Sequence, residues 1–194
     1  MEMSKVRRFN LVGGPGSGKS TVAAYIYSEL KLLGVQVELV REVIKEWVYL
    51  EQSPKSFDQL YICASQIRQE DIFLRSHEKG IIVSDSSIDM NVSYTKYYKS
   101  IYAEDLERIA DKVELAYPSY TMFMIRDKSL FTEDGRYHNY EESVELDKWI
   151  WQHYMDRGRR ILRIRSKERA LAYIKYELKL ELTVKEHEMI SGNI

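Results

Sequence analysis

Several residue types are scarce in this sequence of 194 residues, and each scarcity narrows the class of protein. Cys63 is the only cysteine, which excludes a disulfide within the chain and favours a reducing cytoplasm. No stretch approaches the roughly 18 apolar residues of a transmembrane helix. Residues 1–10 are polar and charged, and they lack the apolar core of a secretory signal. We therefore expect a cytoplasmic protein without membrane association.

An excess of charge of one sign is also missing. The sequence has 29 Lys and Arg against 30 Asp and Glu, for a formal net charge of −1. No overall field therefore draws the chain to nucleic acid or to membranes. Its hydrophobic fraction of 44% is typical of globular proteins, and no linker or repeat interrupts the chain. We expect one domain, over residues 1–194.

A glycine-rich segment, Leu-Val-Gly-Gly-Pro-Gly-Ser-Gly-Lys-Ser-Thr, occupies residues 11–21. It fits the phosphate-binding pattern G-x-x-x-x-G-K-[ST], between a predicted strand at Val6–Val12 and a predicted helix at Lys19–Leu33. Glycines let backbone amides approach an anion, and the helix start adds unpaired amides and its dipole. A glycine-rich turn with a surface lysine is the alternative. We interpret the segment as a site for a nucleoside triphosphate, with nine predicted binding residues: Gly13, Gly14, Pro15, Gly16, Ser17, Gly18, Lys19, Ser20 and Thr21.

The end of this segment predicts ATP and Mg²⁺ as cofactors. An ammonium at Lys19 suits the β- and γ-phosphates, and at about 4 Å such a pair is worth roughly 4 kcal/mol at an effective dielectric of about 20. The Ser20 hydroxyl is a predicted Mg²⁺ ligand. We expect Lys19 to face solvent when no ligand is bound.

Strand and helix patterns alternate along the rest of the chain, which indicates a parallel sheet covered on both faces. The predicted fold is an α/β, three-layer P-loop NTPase or kinase fold, with a five-stranded parallel sheet flanked by helices and a lid loop at about 126–140. The later predicted strands are 35–40, 81–85, 120–125 and 161–164. The later predicted helices are 42–50, 57–78, 89–102, 103–116, 141–155 and 167–180, followed by a frayed helical tail.

Ligands of such sheets bind beyond the carboxyl ends of the strands, and two carboxylates are predicted there. Asp85 follows an apolar strand, as does a carboxylate of the metal shell in phosphate-loop enzymes; capping of the next helix is the alternative. Glu42 follows the second strand and is a candidate general base, or a helix-start glutamate favoured by the dipole. Either Glu42 or Asp85 could orient the acceptor hydroxyl.

Other polar and aromatic residues are weaker candidates. Arg126 and Arg136 belong to the predicted lid, where cations could stabilise a transferring phosphoryl group, or to a solvated loop. Arg169 is a candidate for flanking the purine. Gln66 could pair with a base edge or be exposed, and Tyr94 could stack on an acceptor or belong to the core.

Five segments in order resemble the phosphate-loop kinases that include the nicotinamide riboside kinase domain and its nucleoside and nucleotide kinase relatives. They are Gly13–Thr21, Glu42–Trp47, Ile62–Gln66, Asp85–Ser87 with the tyrosines from Tyr94 onward, and Phe131–Arg136. The resemblance implies an acceptor site with Glu42, Gln66, Ser87, Asp89 and Tyr94. Ser87 stands where the family has a second aspartate, with Asp89 two residues on, and Lys45 stands where it has arginine. Both positions shape acceptor recognition.

The leading functional prediction is transfer of the γ-phosphoryl group of ATP to a hydroxyl of a nucleoside- or nucleotide-like small molecule. A second is phosphorylation of a hydroxyl on DNA or RNA, including a hydroxymethylated base; tyrosines interleaved with lysines favour it and the near-neutral charge opposes it. A third is a non-catalytic, nucleotide-gated switch, although an N-K-x-D guanine motif is missing. The acceptor, the preference between ATP and GTP and the oligomeric state stay open.

Overall fold

The computed structural model describes residues 5–44, 47, 50, 52, 54, 57–131 and 137–191. These residues contain a five-stranded sheet with the order β2-β3-β1-β4-β5, in which every neighbouring pair is parallel. The prediction of a five-stranded parallel sheet flanked by helices is confirmed. The strands are β1 (Lys5–Val12), β2 (Val37–Val40), β3 (Lys79–Ser84), β4 (Ser119–Met124) and β5 (Ile161–Ile164).

Helices connect these strands. In chain order they are α1 (Lys19–Leu32), α2 (Asp58–Ser76), α3 (Ile88–Tyr97), α4 (Ala103–Ala116), α5 (Tyr140–Asp156), α6 (Lys167–Glu177) and α7 (Val184–Ser191). A short 3-10 turn covers Lys128–Leu130. Within the described part of the chain, no helix is both long and apolar enough to cross a membrane.

The predicted helices differ from the observed ones mainly at their ends. The predicted helix 89–102 ends at Tyr97, because Lys99 adopts a left-handed backbone with φ 53, which an α-helix cannot continue through. The predicted strand 35–40 begins only at Val37. Residues 45, 46, 48 and 49 of the predicted helix 42–50, and residues 132–136 of the predicted lid, lie outside the described residues.

The core lies on both faces of β1, the central strand. Phe9 and Leu11 are fully buried among residues of α1 and α6, whereas Val12 packs with Leu146 and Ile150 of α5 on the opposite face. Burial on both faces is typical of parallel sheets in α/β proteins. It also places the carboxyl end of β1 at the centre of the molecule, with β3 and β4 on either side. The segment that follows β1 is therefore supported from both directions.

Candidate functional site

The phosphate loop, Gly13–Thr21, joins the end of β1 to the start of α1. Gly18 has φ 89 and precedes the helix without a side-chain cap, a conformation that glycine adopts without strain. The first amides of a helix have no partner within it, and the first turn of α1 begins Lys-Ser-Thr, without a carboxylate. Ser17 is buried, and its Oγ has no hydrogen-bond partner among the described residues. These unpaired donors suit an anion such as a phosphate group.

Lys19 folds back over this loop. Its side chain is buried, with 6% exposure, and its Nζ donates to the carbonyl oxygen of Gly14 at 3.1 Å. The expectation that Lys19 faces solvent is wrong, because this carbonyl partners the ammonium within the loop. The positive charge nevertheless lies within the loop, where a triphosphate would bind.

A second set of contacts supports the loop from α5 and from the end of β4. The Gly14 amide donates to Oδ1 of Asp147 at 2.6 Å, and Arg126 Nε donates to Oδ2 of the same carboxylate at 2.8 Å. Arg126 also donates to the backbone oxygens of Pro15, at 2.6 Å, and Ser143, at 3.2 Å. The structure therefore places Arg126 against the phosphate loop, whereas the sequence predicted it on a lid.

Asp85 lies one strand away from the phosphate loop. It follows β3 directly, it is 4% exposed, and its amide donates to the Val40 oxygen at 2.9 Å. Asn10 of β1 is paired with Ser84 of β3, and adjacent strands are about 4.8 Å apart. Both Asp85 and the loop that carries Ser20 thus lie at the same edge of the sheet.

The polar groups of Asp85 and Ser20 fit Mg²⁺ better than they fit a metal ion that is held by protein ligands alone. Within the described ranges, no three His, Cys, Asp or Glu residues come together as a metal site. Mg²⁺ usually binds through one or two carboxylates together with substrate phosphates and water. A single carboxylate at Asp85 and a hydroxyl at Ser20 match that chemistry.

A cavity of about 860 Å³ opens beside the phosphate loop. Pro15 and Lys19 of the phosphate loop line it, as does Glu42. Aromatic side chains form much of the remaining wall. The other described lining residues include Phe57, Gln66, Asn91, Tyr94, Tyr98, Lys99, Ile101, Tyr137, His138 and Glu142.

Two amide side chains that line this cavity are hydrogen-bonded to each other. Asn91 Nδ2 donates to Gln66 Oε1 at 3.1 Å and to the Ser87 backbone oxygen at 3.4 Å. Gln66 is 3% exposed. Sequence reasoning proposed Gln66 but missed Asn91. The signal for Asn91 was its position three residues before Tyr94, on the same helical face.

Tyr94 lies in the wall near Glu42. Burial raises the pKa of the Tyr94 phenol well above its usual value of 10.0, and the charge of Glu42 raises it further. Tyr94 therefore stays neutral near pH 7, with an aromatic ring and a hydroxyl at the cavity wall. The structure brings Lys19, Glu42, Gln66 and Tyr94 together around one cavity.

Two residues predicted for the acceptor site point elsewhere. Ser87 caps α3 by accepting from the Met90 amide at 3.1 Å, and it also bonds the hydroxyl of Tyr154. Asp89 pairs with Arg157 at 3.0 Å and with Arg159 at 2.8 Å. Because these partners hold both side chains away from the cavity lining, we leave them out of the acceptor site.

Arg169 and Arg136 are two further residues that the sequence predicted for the site. Arg169 lies in the first turn of α6, where its amide donates to Ser166 Oγ at 3.2 Å, and its side chain is half-buried. Arg169 does not line the described wall of the cavity. Arg136 lies outside the described residues.

Comparisons with known proteins agree with this architecture. A family model described as an AAA domain matches residues 8–170. No curated protein is similar enough to this sequence to count as a match. Among solved structures, thymidylate kinase from Ehrlichia chaffeensis superposes with a TM-score of 0.62 at 18% sequence identity, over 89% of this chain and 98% of that one. At that identity the likeness concerns the fold.

Proposed function

This chain belongs to the AAA domain family, and from that premise we propose that it is an ATP-dependent kinase acting on a hydroxyl of a nucleoside-like acceptor. The observation that carries the proposal is the cavity, whose lining combines Lys19 of the phosphate loop, the carboxylate of Glu42, and aromatic and amide side chains. A kinase needs those three features together: a group that binds the donor phosphates, a group that accepts a proton, and a binding surface for the acceptor.

The phosphate loop supplies the donor half of this site. Backbone amides of Gly13–Thr21 and the ammonium of Lys19 are suited to the β- and γ-phosphates of ATP. Ser20 and Asp85 are the proposed ligands of Mg²⁺, which when bound neutralises charge on the phosphate oxygens. The fold shared with thymidylate kinase, a kinase by name, supports this assignment.

The charges of the acceptor half favour a neutral acceptor. The described lining contains two carboxylates, those of Glu42 and Glu142, and two ammonium groups, those of Lys19 and Lys99. His138 adds no positive charge near pH 7, because burial lowers its pKa from 6.5. A phosphate group on the acceptor would approach Glu42 at unfavourable energy, whereas a hydroxyl would find a hydrogen-bond acceptor there.

The shape of the wall suits a nucleoside. A volume of about 860 Å³ is within the 300–1,000 Å³ typical of small-molecule sites. Phe57, Tyr94 and Tyr98 offer faces on which a base can stack, and the Asn91 amide, which is held by Gln66, can pair with a base edge. In the proposed reaction Glu42 accepts the proton of the acceptor hydroxyl, whose oxygen attacks the γ-phosphorus, and the bond to ADP breaks.

One observation favours a second acceptor class, a hydroxyl on DNA or RNA. Ile101, Phe57 and Tyr98 border the cavity and are 91%, 58% and 53% exposed, and Lys99 lies beside them. Exposed aromatic rings next to a cation are typical of surfaces on which single-stranded bases stack. The nucleic-acid hypothesis therefore rests on the exposure of these side chains, and the small-molecule hypothesis rests on the volume and the charges of the cavity.

A transfer screen tests both hypotheses. The protein is incubated with Mg²⁺ and ATP labelled at the γ-phosphate, together with nucleosides, nicotinamide riboside, nucleoside monophosphates or oligonucleotides. We expect label on a nucleoside and loss of transfer in Glu42→Gln, with Glu145→Gln, at an exposed position on α5, as the matched control. Transfer only to oligonucleotides, with steep salt dependence, supports the second hypothesis. ADP release that no acceptor changes contradicts both.

A further inference from the structure

We propose that Asp147 and Arg126 form a positioning pair that holds Gly14 and Pro15 of the phosphate loop in the shape that binds a triphosphate. In this assignment Arg126 acts through the loop, and it does not touch the transferring phosphoryl group as a lid residue would. The inference rests on the proposed function only in that the phosphate loop binds ATP.

Every polar group of the pair has a defined partner. The two oxygens of Asp147 are divided between the Gly14 amide, at 2.6 Å, and Arg126 Nε, at 2.8 Å. The two terminal nitrogens of Arg126 donate to the backbone oxygens of Pro15 and Ser143. A planar guanidinium with donors committed in three directions cannot turn toward a ligand without breaking these bonds. The Arg126 side chain therefore supports the phosphate loop in one fixed orientation.

Burial strengthens the pair. The side chains of Arg126 and Asp147 are 5% and 14% exposed, so water screens their attraction much less than it screens a surface ion pair. Both oxygens and three nitrogens are satisfied within the protein, which is the condition under which a buried pair is tolerated. The pair therefore holds one arrangement.

Gly14 is the residue that allows α5 to come this close. A Cβ on Gly14 would lie 2.8 Å from the Ser143 oxygen, 2.9 Å from Asp147 Oδ1 and 3.1 Å from an Arg126 terminal nitrogen. These separations are below ordinary van der Waals contact, so only glycine fits between the loop and the pair. The close approach is thus built into the sequence of the loop.

The pair also reaches Lys19 through a single residue. The Gly14 amide is held by Asp147, and the Gly14 carbonyl oxygen accepts from Lys19 Nζ at 3.1 Å. If the Gly14 amide loses its bond to Asp147, Gly14 can shift, and the carbonyl oxygen that accepts from Lys19 shifts with it. The expected consequence of breaking the pair is weaker binding of the triphosphate, with binding of the acceptor unchanged.

Nucleotide affinity measured by calorimetry tests this assignment. We expect Asp147→Asn to raise the Kd of Mg²⁺-ATP about tenfold, the range for losing a charge-assisted hydrogen bond, and to leave the KM of the acceptor within about twofold of its original value. Asp156→Asn is the matched control, since Asp156 lies on the same helix at an exposed position. An unchanged Kd in Asp147→Asn would overturn the proposal.

Arg126→Lys is the second variant, and it keeps the charge but not the three-way donation. We expect it to raise the Kd of Mg²⁺-ATP, and we expect the double variant with Asp147→Asn to be little worse than either single one, because residues that act as one unit are not additive. A lower kcat with an unchanged Kd in Arg126→Lys would instead place Arg126 on the transferring group and contradict us. Thermal unfolding of each variant verifies folding, and Arg126→Lys serves as the test if Asp147→Asn does not fold.

The binding measurement separates this inference from the proposed function. ATP binding is recorded without any acceptor, so an absence of phosphoryl transfer together with weaker ATP binding in Asp147→Asn refutes the kinase hypothesis and supports the positioning pair. If phosphoryl transfer is observed and Asp147→Asn binds ATP with normal affinity, the kinase hypothesis is supported and the positioning pair is refuted.

Discussion

Lys19 is the residue at which the proposed donor site can be tested most directly. Its ammonium is buried in the loop and bonded to the Gly14 carbonyl oxygen. A bound triphosphate would offer a negatively charged partner in place of a neutral one, and such bonds are about twice as strong. The exchange would cost little side-chain entropy, because the Lys19 side chain is already held in place.

We predict that Lys19→Ala lowers kcat/KM by about a thousandfold, the equivalent of roughly 4 kcal/mol of lost attraction. The fold should persist, because alanine is the best helix former at the start of α1. Phosphoryl transfer and the thermal unfolding midpoint are measured together. Lys31→Ala, at an exposed position on the same helix, is the control and should transfer normally.

Asp85 tests the proposed metal site. We predict that Asp85→Asn raises the Mg²⁺ concentration for half-maximal transfer about tenfold, because an amide is a weaker ligand or orienter of a hydrated divalent cation than a carboxylate. A magnesium titration of the transfer rate measures this shift. If Asp85→Asn keeps the magnesium dependence of the unmodified protein, Asp85 is not part of the metal shell.

At the scale of elements, the start of α5 connects the mouth of the cavity to the phosphate loop. Just before the helix, Tyr137 bonds the Gln52 oxygen, and His138 bonds the Tyr98 hydroxyl at 2.8 Å. A capping box between Asn139 and Glu142 then begins the helix. The next turns carry the groups that hold Gly14. One element thus contacts both halves of the proposed site.

The contact between Tyr98 and His138 gives a prediction for this element. We expect Tyr98→Phe to raise the KM of the acceptor about threefold to tenfold, the range for one neutral hydrogen bond, while the Kd of ATP stays the same. The ring that lines the cavity is retained, so stacking is preserved. Tyr176→Phe, at an exposed position on α6, is the control. Equal changes in acceptor KM and ATP affinity would contradict the assignment to the acceptor side.

At the scale of the whole molecule, stability is expected to depend on the buried His153. This residue on α5 is 7% exposed, and burial lowers its pKa from 6.5 to about 4. The nearby charges of Asp89, Arg157, Lys96 and Glu107 partly offset one another. The His153 imidazole binds a proton less readily in the native state than in the unfolded chain. The free energy of unfolding therefore falls as the pH drops from about 6.5 toward 4.

We predict that His153→Gln removes this pH dependence. With 1.36 kcal/mol for each unit of pKa, the contribution of His153 to the free energy of unfolding changes by as much as about 3 kcal/mol between pH 7 and pH 4. Urea unfolding over that pH range measures it. His187→Gln, at an exposed position on α7, should follow the unmodified protein. Parallel curves for His153→Gln and the unmodified chain would contradict the prediction.

Much of the architecture could be predicted because its signals are local. The phosphate-loop pattern occupies consecutive residues between a strand and a helix, and alternating patterns indicate a parallel sheet. The carboxyl-end rule placed Glu42 at the cavity and Asp85 at the same edge of the sheet. Helix ends were less predictable, as at Tyr97, where the left-handed Lys99 ends α3 without a glycine signal.

The sequence by itself determined the phosphate loop and the parallel sheet, because residues near one another in the chain specify both. Only the tertiary structure decided that Asp147, which is 133 residues from Gly14, accepts a hydrogen bond from the Gly14 amide, and that Arg126 donates to the backbone of the loop. It also turned Asp89 toward Arg157 and Arg159 and Asn91 toward Gln66. A polar side chain takes the partner that the packing of distant elements brings within about 3 Å, and no local pattern contains that distance.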